Sequence, residues 1–289
     1  MTEYNTTTNI TADHCPFGLP KPQHKSRALL VNPYMETGYR VNYTAFQCAV
    51  SIFTFHNETW NIWTHLLPVI CISLSLTYLL NYELVEYSTT DQIMIGLFYV
   101  LSGVALLCSS LYHTFSCISI HTHDCLLCGD MAGCVSLLMA FTVPCTYFGF
   151  TCFPYIRNYY LIGCCIMFGL GIYICIYSNH KTIGYKLRLI GFPLLGLNGI
   201  AILLHIYLVL PSHDWQIWIP YQYTFICSLI GLVAYLSRFP EKYFKHFVET
   251  THFYSHAIWH LCIDATILIG CVQILRVSKA AQDYVCEYK

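Results

Sequence analysis

Residues 93–117 read IMIGLFYVLSGVALLCSSLYHTFSC, a run without one Lys, Arg, Asp or Glu. A helix needs about 20 mainly apolar residues to cross a bilayer. The apolar positions do not alternate, so the run lacks the period-2 pattern of a barrel strand, and lipid leaves only helices or closed barrels. A membrane-crossing helix is therefore predicted. Its last turns change character: Ser109, Ser110, Tyr112 and His113 bring polar groups to one end of the crossing, where the bilayer makes them costly and hence informative.

Six further stretches satisfy the same criterion, at roughly 62–81, 127–149, 158–178, 188–210, 216–237 and 254–275. The expected fold is all-α, a seven-transmembrane helix bundle joined by short loops. Residues 1–60 form a polar N-terminal segment, 61–276 the membrane domain and 277–289 a short C-terminal tail. The composition agrees: 56% of residues are hydrophobic and 10% charged, against about 25% charged in soluble domains, and mean hydropathy is +0.52. A net charge of -1 offers no footprint for nucleic acid. Most of the 17 Cys lie inside apolar runs and read as small buried hydrophobes. Residues 1–20 are polar and lack the apolar core of a signal peptide, so the first membrane helix is expected to direct insertion.

Lys and Arg set the orientation. Lys21, Lys25, Arg27, Arg40, Lys181, Lys186, Arg188, Arg238, Lys242 and Lys245 fall on the N-terminal side of the bundle. Arg157, Arg276, Lys279 and Lys289 fall on the other. The bias predicts a cytoplasmic N-terminus and a lumenal or extracellular C-terminus. Asn5, Asn9, Asn42 and Asn57 begin N-x-Thr triplets that pull the other way, since glycan acceptors face a lumen; the charge bias carries more weight.

Four polar clusters stand at span ends: His56 to His65, Ser109 to His113, Gly129 to Gly133, and Ser255 to His260. In an up-and-down bundle odd spans begin where even spans end, so all four lie at one face, the cytoplasmic one. His256 and His260 are four apart and project from one side of a helix. With His113 they supply three imidazoles, a familiar set for zinc with an open fourth position. Asp130 is the carboxylate placed to accept a proton from, or orient, a water there, and Ser109 lies one turn before His113. Glu58, Asn61 and His65 read as a structural polar face, and Glu241 as a locally paired turn residue. His205 reads as a packed polar group, and His121 and His123 as solvated loop residues. Asp264 extends the His256–His260 face by one turn, as a group orienting a histidine or as a neutral buried acid.

ETWNIWTHL at 58–66, SSLYH at 109–113 followed by Asp130, FPEKYF at 239–244 and SHAIWH at 255–260 together resemble the progestin and adipoQ receptor family, which includes adiponectin receptors and hemolysin-III-like proteins. The resemblance spans roughly residues 30–275. It implies zinc held by His113, His256 and His260, catalytic roles for Asp130 and Ser109, and a cytoplasmic N-terminus. Gly129 and Met131 depart from the Leu and Tyr that usually flank the family's Asp. NPYMETGYR at 32–40 and DYV at 283–285 are similar to a Golgi-resident subgroup that traps a Raf-type kinase. The expected function is therefore a multi-pass receptor or scaffold with an intramembrane zinc site, tethering a kinase at the Golgi. The alternatives are a zinc-dependent hydrolase of a lipid amide such as ceramide, and a hormone-responsive receptor. The chain shows neither an internal repeat nor paired broken helices, which disfavours a transporter.

Overall fold

Apolar side chains that face outward define this molecule as much as those that face inward. Leu74, Ile176, Leu236 and Leu268 are 66%, 62%, 70% and 69% exposed, an arrangement that suits surrounding lipid and not water. In a computed structural model, residues 32–40, 43–178, 182–209, 215–283 and 286 are described. Among them the secondary structure is all helical: α1 (Ala45–Ser51), α2 (Thr59–Tyr78), α3 (Thr89–Phe115), α4 (Ile120–Gly149), α5 (Pro154–Ser178), α6 (Thr182–Val209), α7 (Trp215–Ser237), α8 (Lys245–Thr251) and α9 (Ser255–Asp283). Every apolar stretch found in the sequence lies on one helix. Five helices, namely α2 with its continuation to Glu83, α3, α4, α5 and α9, are long and apolar enough to cross a membrane, and α6 and α7 carry shorter apolar stretches at Leu194–Val209 and Gln222–Ser237. The chain is a helical membrane bundle.

The starts of several helices follow from local chemistry. Ser88 and Ser119 accept bonds from the backbone N–H groups of Asp91 and Thr122 and so cap α3 and α4, while Thr44 and Gln47 form a reciprocal capping box on α1, each satisfying donors that the helix itself leaves free. Because Ser119 starts α4, His121 and His123 are helical and not in a solvated loop. His123 is buried and lies 3.1 Å from the Tyr112 hydroxyl. Helix α9 runs to Asp283, two turns past the end expected from hydropathy, because an amphipathic last segment continues the helix after the apolar run stops.

Helices α3, α4 and α9 form the centre. α3 packs along α4 and α2, α9 along α7, and α5 and α6 lie against α4. Ile95, Phe98 and Leu106 of α3 meet Ala140 and Phe148 of α4 and Ile267 and Ile274 of α9 in one cluster. Met139, Cys145, Cys164, Ile202 and Ile206 join α4, α5 and α6 in a second. A disulfide joins Cys152, just after α4, to Cys286, just after α9; this pairing was not legible among the 17 Cys of the sequence.

One glycine sets the spacing at the centre. A Cβ on Gly133 of α4 would meet the Cα of Ala105 at 3.0 Å and its carbonyl oxygen at 3.2 Å. Both are backbone atoms of α3, so the helices would have to separate to admit a side chain, as small residues allow close approach between membrane helices. Gly129, one turn earlier, has open space around its Cβ position. Gly133→Val is therefore expected to cost about 1–3 kcal/mol by overpacking, read as a lower melting temperature in detergent. Gly129→Ala in the same helix should leave the melting temperature unchanged or raise it.

Candidate metal centre

The candidate centre starts from two helix ends. Helix α9 begins at Ser255, whose backbone N–H and hydroxyl both donate to the Glu241 carboxylate, at 2.7 and 2.5 Å. Glu241 is fully buried, so a negative charge sits at the positive end of α9 and fixes where its first turn stands. The sequence reading of Glu241 as a local turn partner missed this reach of fourteen residues. At the other end, Arg40 holds the last turn of α3. Its guanidinium donates to the carbonyls of Thr114 (2.9 Å) and His113 (2.5 Å) and to the Ser51 hydroxyl (2.9 Å). Carbonyls without a partner in the helix are thus satisfied by a cation at the negative helix end.

These ends bring His113 of α3 against His256 and His260 of α9. Ligand nitrogens from the three rings all lie within 4.8 Å of one another, and Nε2 of His113 is 3.3 Å from Nε2 of His256. His113 and His260 are buried and His256 is partly buried. The far nitrogens are anchored. Nδ1 of His113 is 2.8 Å from Oε2 of Glu58. Nδ1 of His260 is 3.2 Å from the carbonyl oxygen of Asn61 and 3.1 Å from the Thr64 hydroxyl. A carbonyl only accepts, so Nδ1 of His260 carries the proton and Nε2 its lone pair. The same logic applied to the Glu58 carboxylate leaves Nε2 of His113 as a lone pair, facing a second ring nitrogen. Such a pair needs a proton or a cation between its members. Three neutral imidazoles, two of them oriented by a carboxylate or a carbonyl behind, fit a divalent zinc centre.

Glu58 is thus part of this cluster. Its carboxylate also accepts from Asn57 (2.8 Å) and Asn61 (2.7 Å). The signal was its place in ETWNIWTHL; its contact with His113 depends on the crossing of α2 and α3. Asn57 is buried and committed to that bond, so it is no exposed glycan acceptor. Asn5, Asn9 and Asn42 lie outside the described residues. Asp264 does not bond the cluster: its Oδ1 stands 3.9 Å from Nε2 of His65, whose ring stacks on His260 with centroids 3.7 Å apart. His205 is 2.8 Å from the Tyr160 hydroxyl, a packed polar group as expected.

A feature with no sequence signal is a half-open cavity of about 540 Å³ lined by α2, α3, α4, α6, α7 and α9. His256, His260, Ser109 and Asp130 line its polar end, and Leu106, Leu137, Phe141, Ile202 and Ile263 its apolar wall. Ser109 and Asp130 are both buried and line the same cavity. The residues singled out at the ends of separate spans therefore share one chamber or border it.

A helical membrane bundle with three clustered histidines at one end, two of them buried, and an apolar chamber beside them defines the class. The chain belongs to the Haemolysin-III related family, which it matches over residues 53–270. It is 29% identical over 249 residues to the adiponectin receptor protein of Drosophila melanogaster, covering 82% of this chain and 54% of that one. It is 28% identical over 278 residues to progestin and adipoQ receptor family member 3 of Homo sapiens, covering 88% of this chain and 86% of that one. Heptahelical transmembrane protein 1 of Arabidopsis thaliana is 26% identical over 247 residues, covering 80% and 73%. The chain spans little more than half the length of the Drosophila relative.

Removing the anchor of α9 tests how the centre is positioned. Glu241→Ala leaves the buried Ser255 N–H without its partner, at about 1–3 kcal/mol. The expected result is a lower melting temperature in detergent, with Glu86→Ala, an exposed carboxylate between α2 and α3, as the milder comparison.

Proposed function

We propose that this protein holds zinc between His113, His256 and His260 and hydrolyses a lipid amide, with ceramide as the representative substrate. The observation that carries this reading is the clustering of His113 with His256 and His260, the latter two lining, with Asp130 and Ser109, an apolar cavity of about 540 Å³. Zinc in such a site polarises a carbonyl and brings the pKa of a water toward 7. The Leu, Ile and Phe walls bind an acyl chain and keep bulk water from the amide. Asp130 takes the proton of the attacking water and delivers it to the departing amine nitrogen, so that the C–N bond is replaced by C–O and the products are a fatty acid and an amine. Ser109 fixes the carboxylate for that transfer. Glu58 and the Asn61 carbonyl hold His113 and His260 in the tautomers that leave Nε2 free.

The reading includes a histidine end that faces the cytoplasm. Its supports are the Lys and Arg bias and the Cys152–Cys286 disulfide, which joins the opposite ends of α4 and α9; disulfides persist in oxidising compartments. A count of seven crossings is supported by the seven apolar stretches. Kinase capture at the Golgi rests on the resemblance and on an N-terminal segment of which residues 1–31 lie outside the described residues.

Purified wild type is expected to contain about one zinc per chain, and His113→Ala close to none, by elemental analysis. Equal zinc in both overturns the centre. Glu58→Gln should weaken zinc affinity by about 10–100-fold. Asp130→Asn should retain zinc yet lower kcat for ceramide by about 10²–10⁴-fold; undiminished turnover in that variant removes the hydrolytic role and leaves a structural tie between α3 and α9.

A further inference from the structure

Two thiols stand apart from the histidine cluster. Cys48 of α1 and Cys117 of the α3–α4 loop bring their sulfurs to 3.4 Å across 69 residues of sequence. Cys48 is buried and Cys117 partly exposed. Arg40 ties together the two elements that carry them, through Ser51 of α1 and the Thr114 carbonyl at the end of α3. Ser51 in turn donates to the Cys48 carbonyl at 2.7 Å. The thiols are therefore held as a pair by a network in which neither sulfur takes part. A hydrogen bond from Cys48, together with the Arg40 charge, outweighs burial and brings the Cys117 thiol down to about 7, and the same bond raises Cys48. Thiolate character at an accessible sulfur beside a cation is what distinguishes a reactive cysteine from a buried inert one.

We propose that Cys117 and Cys48 form a reversible oxidation site, with Cys117 attacking a hydroperoxide and Cys48 resolving the product. The Cys117 thiolate attacks one peroxide oxygen, the O–O bond breaks, and the two electrons lost by sulfur reduce the peroxide; with hydrogen peroxide the leaving hydroxide takes up the proton that the Cys117 thiol released on ionising and departs as water. Cys117 is then a sulfenic acid. The Cys48 sulfur attacks it, the S–O bond breaks, and the hydroxyl leaves with the Cys48 proton as a second water. The sulfurs must close from 3.4 Å to about 2.05 Å. A small thiol reverses the step with two electrons. The bond fastens α1 to the loop one turn beyond His113.

The test uses the full chain in detergent, treated with hydrogen peroxide, blocked with N-ethylmaleimide and digested with chymotrypsin for mass spectrometry. The expected product is a peptide pair linking Cys48 to Cys117 that disappears with dithiothreitol, while Cys71 stays alkylated. In Cys48→Ser, Cys117 should be trapped by dimedone as sulfenic acid with no linked pair. In Cys117→Ser, Cys48 should remain alkylated as in untreated protein. Full alkylation of both thiols in peroxide-treated wild type, or linkage of Cys117 to a different cysteine, overturns the proposal.

Discussion

An imidazole buried at the edge of a bilayer has two ring nitrogens to satisfy and no water to do it. The whole histidine end of the bundle is arranged around this constraint. Glu58 takes one nitrogen of His113, and the Asn61 carbonyl takes one of His260. What is left is a set of nitrogens turned toward one another, with two of them 3.3 Å apart. An arrangement of that kind is unfavourable when empty of charge and favourable around a shared cation, because unpaired polar groups in a low-dielectric site cost several times what they do in water. The rest of the end follows: Glu241 fixes the first turn of α9, Arg40 the last turn of α3, and Gly133 lets α4 approach α3 closely.

In the proposed reading the cavity separates two tasks by depth: its apolar walls would take the chain of a lipid, and the end lined by His256, His260, Ser109 and Asp130 would carry the chemistry. The Glu58–His113 bond orients that imidazole by a contact the fold itself makes.

The crossings were legible because hydropathy over 20 residues is a strong signal, and the convergence of His113, His256 and His260 was legible because an up-and-down bundle folds distant span ends onto one face. The contact of Glu58 with His113 and the reach of Glu241 to Ser255 were not, since each depends on a crossing angle or a loop path with no local pattern. The chamber was invisible for a similar reason: it is a space left between six helices, and its walls have the same composition as a filled core. His123 was misplaced because Ser119, a polar residue in an apparent loop, is in fact the cap of α4.

The Cys152–Cys286 bond has a mechanical meaning. It clamps α4 to α9 at one extremity only, and these two helices carry Asp130 and the His256–His260 pair near the other. Further along, the same helices meet in the central cluster, Ala140 and Phe148 of α4 with Ile267 and Ile274 of α9, so a covalent pin and an apolar contact at different depths together fix the register of one helix on the other.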